Sequence, residues 1–465
     1  MILLKNGKLV SSEEIVKKDV LINEETGKIE KISNNIKEKS NYKINDISGK
    51  YLFAGFIDAH THFDLSVANT TTIDDFYSGT KAAIRGGTTT IIDYASQYKN
   101  ETLKEALNNW KKKASKGTFC DYSFHMSISD ISKNQLEECK KMIREGITSF
   151  KLYMTYDVAL NDKDLFLALC AIYDEGGIAG IHCENAGIIE AFKMAIGQDK
   201  NDLKLPYCHM ISRPPEVEAE ALNRVMYMAK ILDAPIIAVH TTCRESLDEI
   251  RRMREKGVLV YVETCPQYLT FDTDMFNIRN QNFDEISKYI CAPPIREKED
   301  VEALWDAIKD GEIDTIATDH CAFTLEQKRM GKEDYRKIPG GMNLVEYRAE
   351  IIYDEGVHKK NIDLQTMSEL LSENPADIYG LSDRKGYIEE GYDADLVVFN
   401  THKKRKLSVK TQISKSDYCA YEGRVVNGIV EDVYLRGKEV VKDTKVLDEP
   451  QGTFIKRKKT YFFND

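Results

Sequence analysis

No apolar run in this sequence approaches the roughly 20 residues that cross a bilayer as a helix. The opening stretch, MILLKNGKLV, is apolar for only four residues before Lys5, too short for a signal-peptide core. A cytoplasmic location with no membrane partner is expected. Basic excess is also missing, since 65 Lys and Arg stand against 76 Asp and Glu, for a net charge of −11 and a pI near 5.5. Broad phosphate-binding faces work by clustering basic side chains, so nucleic acid is not an expected partner. Two short basic runs, KKRK at 403–406 and KRKK at 456–459, are expected to be a solvated loop and tail without a function. Neither Gly nor Pro is in excess, at 27 and 10 of 465 residues, which removes collagen-like and low-complexity classes. The ten cysteines do not form a disulfide framework in a chain of this length and are expected as thiols.

What is present is enough apolar material, 42% of residues, for a sizeable core. From residue 54 to about 320, short β-rich runs alternate with amphipathic helical stretches. The runs are Leu52–Ile57, Thr88–Ile92, Tyr122–Met126, Thr148–Tyr153, Ile178–Ile181, Pro235–Val239, Val258–Val262 and Ile313–Ala317. Between them, spacings of three and four line up apolar faces, as in Leu103, Ala106, Leu107, Trp110 and in Val301, Leu304, Trp305, Ile308. Near-continuous apolar strands each followed by a helix read as a parallel sheet covered on its outside. Eight such units close into a (β/α)8 barrel. Residues 1–53 and 385–465 read instead as short strands and turns. They are expected to form one small β-sandwich domain from both chain ends, with a tail, around a barrel at 54–384.

Ligands at barrel strand ends converge on one point. The first strand runs into DAHTH, where alternation puts His60 and His62 on one side of the chain. Alone, a His-x-His pair is a weak signal. The fifth strand, however, ends at His182 in GIHCEN, the sixth at His240 in AVHTT and the eighth at Asp319 in ATDH. Four of nine histidines and one aspartate therefore fall at strand ends, a pattern that scattered residues would not produce.

The fourth strand, TSFKLYMTY, carries Lys151 into an otherwise apolar run. A structural lysine there would pair with a carboxylate or reach the surface. Beside a metal cluster, burial and repulsion favour the neutral amine, and a neutral amine adds carbon dioxide to give a carbamate with two oxygen donors. N6-carboxylated Lys151 would then bridge two divalent ions. Imidazole-rich ligation with hard oxygen donors suits Zn2+ best, with Mn2+, Co2+ or Fe2+ possible on ligand type.

The chain resembles the dihydropyrimidinase and D-hydantoinase branch of the amidohydrolase superfamily, phenylhydantoinases included. The motifs that carry the resemblance include DAHTHFD, SFKLYMTY, HCENAGII, SRPPEVEAEA, VETCPQYL, IATDHCAF and RKGYIEEGYDADLVVF, spread over nearly the whole chain. The resemblance implies that His60, His62 and Asp319 hold one metal, that His182 and His240 hold the other, and that carboxylated Lys151 bridges them. The implied reaction is hydrolysis of a ring amide in a hydantoin or dihydropyrimidine. Metal-activated hydroxide attacks, Asp319 carries the proton to the departing nitrogen, and Tyr156 steadies the oxyanion. A homotetramer is implied as well.

Two stretches depart from that pattern. Ala292-Pro293-Pro294 stands where a Ser-Pro-Pro is usual, and Pro339-Gly340-Gly341-Met342-Asn343 where a Pro-Asn-Gly run is usual. The family holds the ring's amide edge there largely through backbone groups, so Ala292 and Gly340 are expected to serve, with Asn343 as a possible new polar contact. The departures bear on substrate identity rather than on metal chemistry. Five cysteines beside site motifs, Cys183, Cys243, Cys265, Cys291 and Cys321, are expected to be small buried packing groups. Two other readings use the same fold: an allantoinase- or dihydroorotase-like ring opener, and a non-catalytic scaffold that has lost its metals. The first would need a pocket arginine when the ring carries an acidic group, and none is evident beside the ligand motifs. The second would need replaced ligands, and every ligand position is filled.

Overall fold

The structure, a computed structural model, describes residues 1–276, 282–360, 362–447 and 449–460. Eight strands, β1 (Phe56–Thr61), β2 (Thr88–Ser96), β3 (Asp121–Ser127), β4 (Ser149–Tyr153), β5 (Ile178–His182), β6 (Ile236–Ala238), β7 (Val260–Thr264) and β8 (Thr315–Ile316), pair in sequence order. Every pairing is parallel. Their burial on both faces explains why they read as unbroken apolar runs. Helices such as Leu103–Ala114, Pro215–Leu232 and Lys298–Lys309 pack outside. Pro215 opens the second of these, where its missing N–H has no intrahelical partner to lose. The architecture is a (β/α)8 barrel.

A second, nine-stranded sheet is sewn from both chain ends. Its central strand, Tyr51–Ala54, runs parallel to Ile2–Val10 and antiparallel to Leu396–Lys406. The run Leu52–Ile57, expected as one barrel strand, is thus divided: Leu52 to Ala54 belong to the end sheet and Phe56 onward to β1. Gly55 makes the transfer possible. A Cβ there would lie 2.1 Å from Thr89 Oγ1 and 2.9 Å from Asp395 Cβ, so the chain crosses between sheets where no side chain fits.

The basic runs are not simply solvated. Arg405 lies on the strand Leu396–Lys406 and pairs with Glu346 (2.6 Å) and Glu350 (3.1 Å). Arg457 is buried, donating to Ser123 Oγ (2.9 Å), Phe124 O (2.7 Å) and Ser149 Oγ (2.7 Å). The C-terminal stretch is therefore bound along β3. Lys385 performs a similar joining role between the two sheets. Its buried ammonium meets Asp121 (2.8 Å) at the start of β3, together with Asp393 (3.3 Å) and Asp395. These three carboxylates lie close enough together to hold a cation, and Lys385 and Arg436 already supply the positive charge.

The barrel closes between β8 and β1, where the regular ladder is thin. A parallel bridge joins Thr61 to His320, with His62 N donating to His320 O at 2.8 Å. Beneath it, Asp58 accepts from Thr318 Oγ1 (2.7 Å), Thr318 N (3.1 Å) and His60 N (3.2 Å). Arg348 completes the seam by donating to Ile57 O (2.7 Å), Ile316 O (3.0 Å) and Thr88 Oγ1 (3.1 Å), with Nε 3.9 Å from Asp58. Arg348 is fully enclosed. Arg348→Met, which strands these acceptors and a buried carboxylate, is expected to destabilise the fold by about 3–5 kcal/mol. Chemical or thermal unfolding measures this, and a loss below about 1 kcal/mol, the scale of an ordinary point substitution, would contradict the seam's importance.

Candidate metal centre

The sequence-predicted ligands come together at the carboxyl ends of the barrel strands. His60 lies in β1 and His62 just beyond it, with ring centroids 5.3 Å apart. Asp319 Oδ1 stands 3.3 Å from His60 Nε2 and 3.0 Å from His62 Nε2. One ligand atom from each of these three residues lies within 4.8 Å of the other two. On the other side, the rings of His182 and His240 are 4.6 Å apart, and His240 is 5.4 Å from His60. Lys151 sits between the groups, buried, with Nζ 3.4 Å from His240 Nε2. Gly180, its register partner on β5, adds no side chain beside it. Among the described residues no carboxylate comes within ion-pair distance of that ammonium.

Partners behind the ligands set which nitrogens face inward. Glu263, at the end of β7, holds His60 Nδ1 at 2.6 Å and accepts from His240 N at 3.2 Å, leaving His60 Nε2 toward Asp319. Glu184 holds His182 Nε2 at 2.7 Å, leaving Nδ1 for a ligand role. Such carboxylate-histidine pairs orient metal-binding imidazoles and raise their basicity. Glu263 and Glu184 were not singled out from sequence as functional, although both sit inside quoted motifs. The one available signal was their place at or just beyond a strand end. Tyr94 closes the floor, its ring 4.7 Å from His60 and 4.9 Å from His62.

The electrostatics suit ligation. Burial, reinforced by the Lys151 charge, drives the pKa of His60 and His240 well below the ordinary histidine value, and burial lowers His182 too. Burial thus favours the neutral form of these three imidazoles, the form that metal binding requires. Burial opposes ionisation of Asp319, but His60, His62 and Lys151 bring it down to about 2, so it is a carboxylate. Burial lowers Lys151 to about 8 against the pull of Asp319 and Glu263. His62 Nδ1 is buried without a hydrogen-bond partner. Four imidazoles, three of them held toward the neutral form, with an ionised carboxylate and an easily neutralised amine make a donor set that fits one or two divalent ions. Asp319 and His240 both adopt left-handed backbone, φ +51 and +39, a conformation that costs about 1–3 kcal/mol outside glycine.

Of the predicted substrate contacts, Tyr156 lies against this cluster, while Ala292, Gly340 and Asn343 lie on two loops, the second of which is bonded to the segment after Asp319 through Cys321 N and Met342 O (3.0 Å). Tyr156, also left-handed at φ +71, is half-exposed, and its ring centroid is 5.1 Å from that of His182. The loops bearing Ala292 and Gly340 touch: a Cβ on Gly340 would lie 3.9 Å from Cys291 Cα, and Gly341 N donates to Ile290 O at 2.8 Å. Asn343 is buried, and its amide nitrogen is spent on Tyr418 O (2.9 Å) and Gln412 Oε1 (3.2 Å), so only Oδ1 is uncommitted. An arginine does stand near the site, unlike the sequence expectation. Arg213 lies 5.5 Å above the Tyr156 ring and is ion-paired with Glu184. All five motif cysteines are buried free thiols, and burial raises the pKa of each, as expected of packing groups.

A sequence model of the amidohydrolase family matches residues 51–440. The D-hydantoinase of Geobacillus stearothermophilus is 40% identical over 463 residues, covering 98% of this chain and 96% of its own. The crystal structure of dihydropyrimidinase from Brevibacillus agri NCHU1002 superposes with a TM-score of 0.95 at 36% identity, covering 98% of this chain and 99% of that one. A D-hydantoinase (dihydropyrimidinase) structure from Thermus sp. also gives 0.95, at 33% identity, covering 99% and 100%. With a matching model over most of the chain, full-length relatives and a shared fold, this chain belongs to the amidohydrolase family, in its D-hydantoinase and dihydropyrimidinase branch.

Proposed function

We propose that this chain hydrolyses the ring amide of hydantoins or dihydropyrimidines to N-carbamoyl amino acids, using two divalent ions, Zn2+ by preference, bridged by N6-carboxylated Lys151. The observation that carries the reading is the buried Lys151 ammonium, without a carboxylate partner among the described residues, set among four imidazoles and Asp319. His60, His62 and Asp319 would hold one ion and His182 and His240 the other. The chemistry such ions would supply there is a hydroxide nucleophile at neutral pH and polarisation of the ring carbonyl.

The remaining steps belong to the protein's own residues. Asp319, ionised and flanked by His60 and His62, accepts the nucleophile's proton and returns it to the ring nitrogen as the C–N bond breaks. The Tyr156 hydroxyl donates to the oxygen on which negative charge develops. Backbone groups of Ala292 and Gly340, with the free Oδ1 of Asn343, hold the amide edge of the ring. Neutral rings are favoured over rings bearing a carboxylate, because Arg213 beside Tyr156 is already paired with Glu184. That argues against a dihydroorotase-like reading, and the complete ligand set argues against a scaffold. No described helix is long and apolar enough to cross a membrane. Assembly as a homotetramer is proposed on the resemblance alone.

Protein isolated with zinc and bicarbonate is expected to hold about two ions per chain and to show one added CO2 at Lys151 by mass spectrometry. Lys151→Ala should lose turnover of hydantoin and dihydrouracil and regain part of it with short carboxylic acids. Wild-type activity in that variant would remove the bridge from the mechanism. Tyr156→Phe should lower kcat by about 100-fold, the scale of one lost oxyanion donor, with metal content unchanged, whereas an unaltered kcat would end the role given to its hydroxyl. The pH dependence of assembly has a definite sign. Only the neutral amine adds CO2, and Lys151 is held at about 8. Reactivation of metal-free protein at fixed CO2 and zinc should therefore speed up as pH rises toward 8 and level off above it. A rate that is flat or falling across that window would contradict the assignment.

A further inference from the structure

Lys328 is a second lysine without any exposed surface near the barrel mouth. Its Nζ donates to three backbone carbonyls, Pro339 O (2.8 Å), Gly341 O (2.8 Å) and Ile290 O (3.1 Å). An ammonium has three N–H groups, and all three are used. The acceptors belong to two separate loops, one leading into Cys291-Ala292 and the other surrounding Gly340. The Gly341 N–H also donates to Ile290 O, so Ile290 O takes one bond from the neighbouring loop and one from Lys328. Met342 O in turn accepts from Cys321 N at 3.0 Å, which attaches the second loop to the segment carrying Asp319.

A trans peptide unit is planar, with its C=O and N–H pointing in opposite directions. Drawing the carbonyls of Ile290 and Pro339 toward one ammonium therefore turns the N–H groups of Cys291 and Gly340 the other way. Burial presses Lys328 down to about 7, while three carbonyl dipoles favour its charged form. Apart from the Phe323 ring 5.5 Å away, the ammonium's partners among the described residues all lie on the two loops and none on the helix that ends at Lys328.

We propose that Lys328 is a positioning residue for substrate: from behind the loops it fixes the peptide planes beside Ala292 and Gly340 that receive the amide edge of the ring, and so determines KM. The inference rests on the proposed reading of those loops as the ring-binding edge. Lys328 touches neither the metal ligands nor the reacting atoms, so its removal acts on binding before chemistry.

The test compares Lys328→Met, which keeps length without donors, and Lys328→Gln, which keeps part of the donor set, with the zinc-loaded wild type. Expected in the Met variant are a KM for hydantoin and dihydrouracil raised by about tenfold or more, kcat within about threefold, and unchanged metal content. Amide hydrogen exchange should quicken at 290–292 and 340–343 while the barrel strands hold their rates. Gln should fall between Met and wild type, and in Lys328→Ala added propylammonium should lower KM again. Unchanged KM and exchange in the variants would overturn the proposal, as would a loss of kcat and metal in proportion to KM. If wild type turned over no cyclic amide, the functional reading would fall by itself, and loop exchange in the variants would still decide whether Lys328 holds these loops.

Discussion

Closure of the barrel between its last and first strands is the constraint on which the site depends. His60 lies in β1 with His62 just beyond it, and Asp319 follows β8, so these candidate ligands meet only where the two strands come together, a junction continued above by Ile73 N donating to Ala322 O at 2.8 Å and by His320 against Asp74 at 3.1 Å. The seam has few ladder hydrogen bonds, so side chains do what backbone pairing does elsewhere. Asp58 binds the Thr318 backbone and hydroxyl while also accepting from His60 N, and thereby sets two segments of the candidate site at once. Arg348 ties the strands one layer below. The cost of burying that arginine and aspartate is offset because each is surrounded by fixed partners. Once the seam is set, the left-handed turn at Asp319 places its carboxylate between two imidazoles.

Three buried lysines show how environment gives one side chain three uses. Lys385 meets Asp121, Asp393 and Asp395, whose charges outweigh burial and hold its pKa above the usual lysine range. It is a permanent cation joining two sheets. Lys328 has carbonyl dipoles, which are weaker than charges but directional, with the Phe323 ring 5.5 Å away, and it bonds two loops together. Lys151 has neither. Its charge is supported at longer range by Asp319 and Glu263, and a divalent ion taking up Asp319 would withdraw that support and expel the proton. Of the three, the amine without a close carboxylate among the described residues is the one to which the proposed function assigns covalent change.

Much of this was legible in the sequence because the physics is local. Strands buried on both faces must be apolar throughout, and alternation alone puts His60 and His62 on one side. Lys151 was visible as an ammonium in an oily run. What escaped was set by distant parts of the chain. Glu263 acts on His60 from 203 residues away, and a carboxylate at a strand end has no periodicity to mark it. The division of Leu52–Ile57 was hidden because both sheets want apolar residues there, and only the close approach of Thr89 and Asp395 explains Gly55. Arg457 and Arg405 looked solvated because charge runs usually are. Arg213 was present in SRPPEVE, but its place above Tyr156 depends on a helix start that periodicity does not orient.

The two loop departures bear on specificity in a way that side-chain identity alone obscures. A backbone N–H or C=O is offered by every residue except for the proline N–H, so Ala292 and Gly340 would lose no hydrogen-bonding capacity under the proposal that the site reads a ring through main-chain groups. What they alter is space: Gly340 faces only ordinary contact at 3.9 Å, leaving room that an asparagine side chain would fill. Fidelity of such a site then depends on how firmly the peptide planes are held, because a free glycine samples more backbone conformations than any other residue. A loop with Gly340 and Gly341 in succession needs an external anchor, and the Lys328 ammonium behind it, bonded on both sides of Gly340 at Pro339 O and Gly341 O, is that anchor.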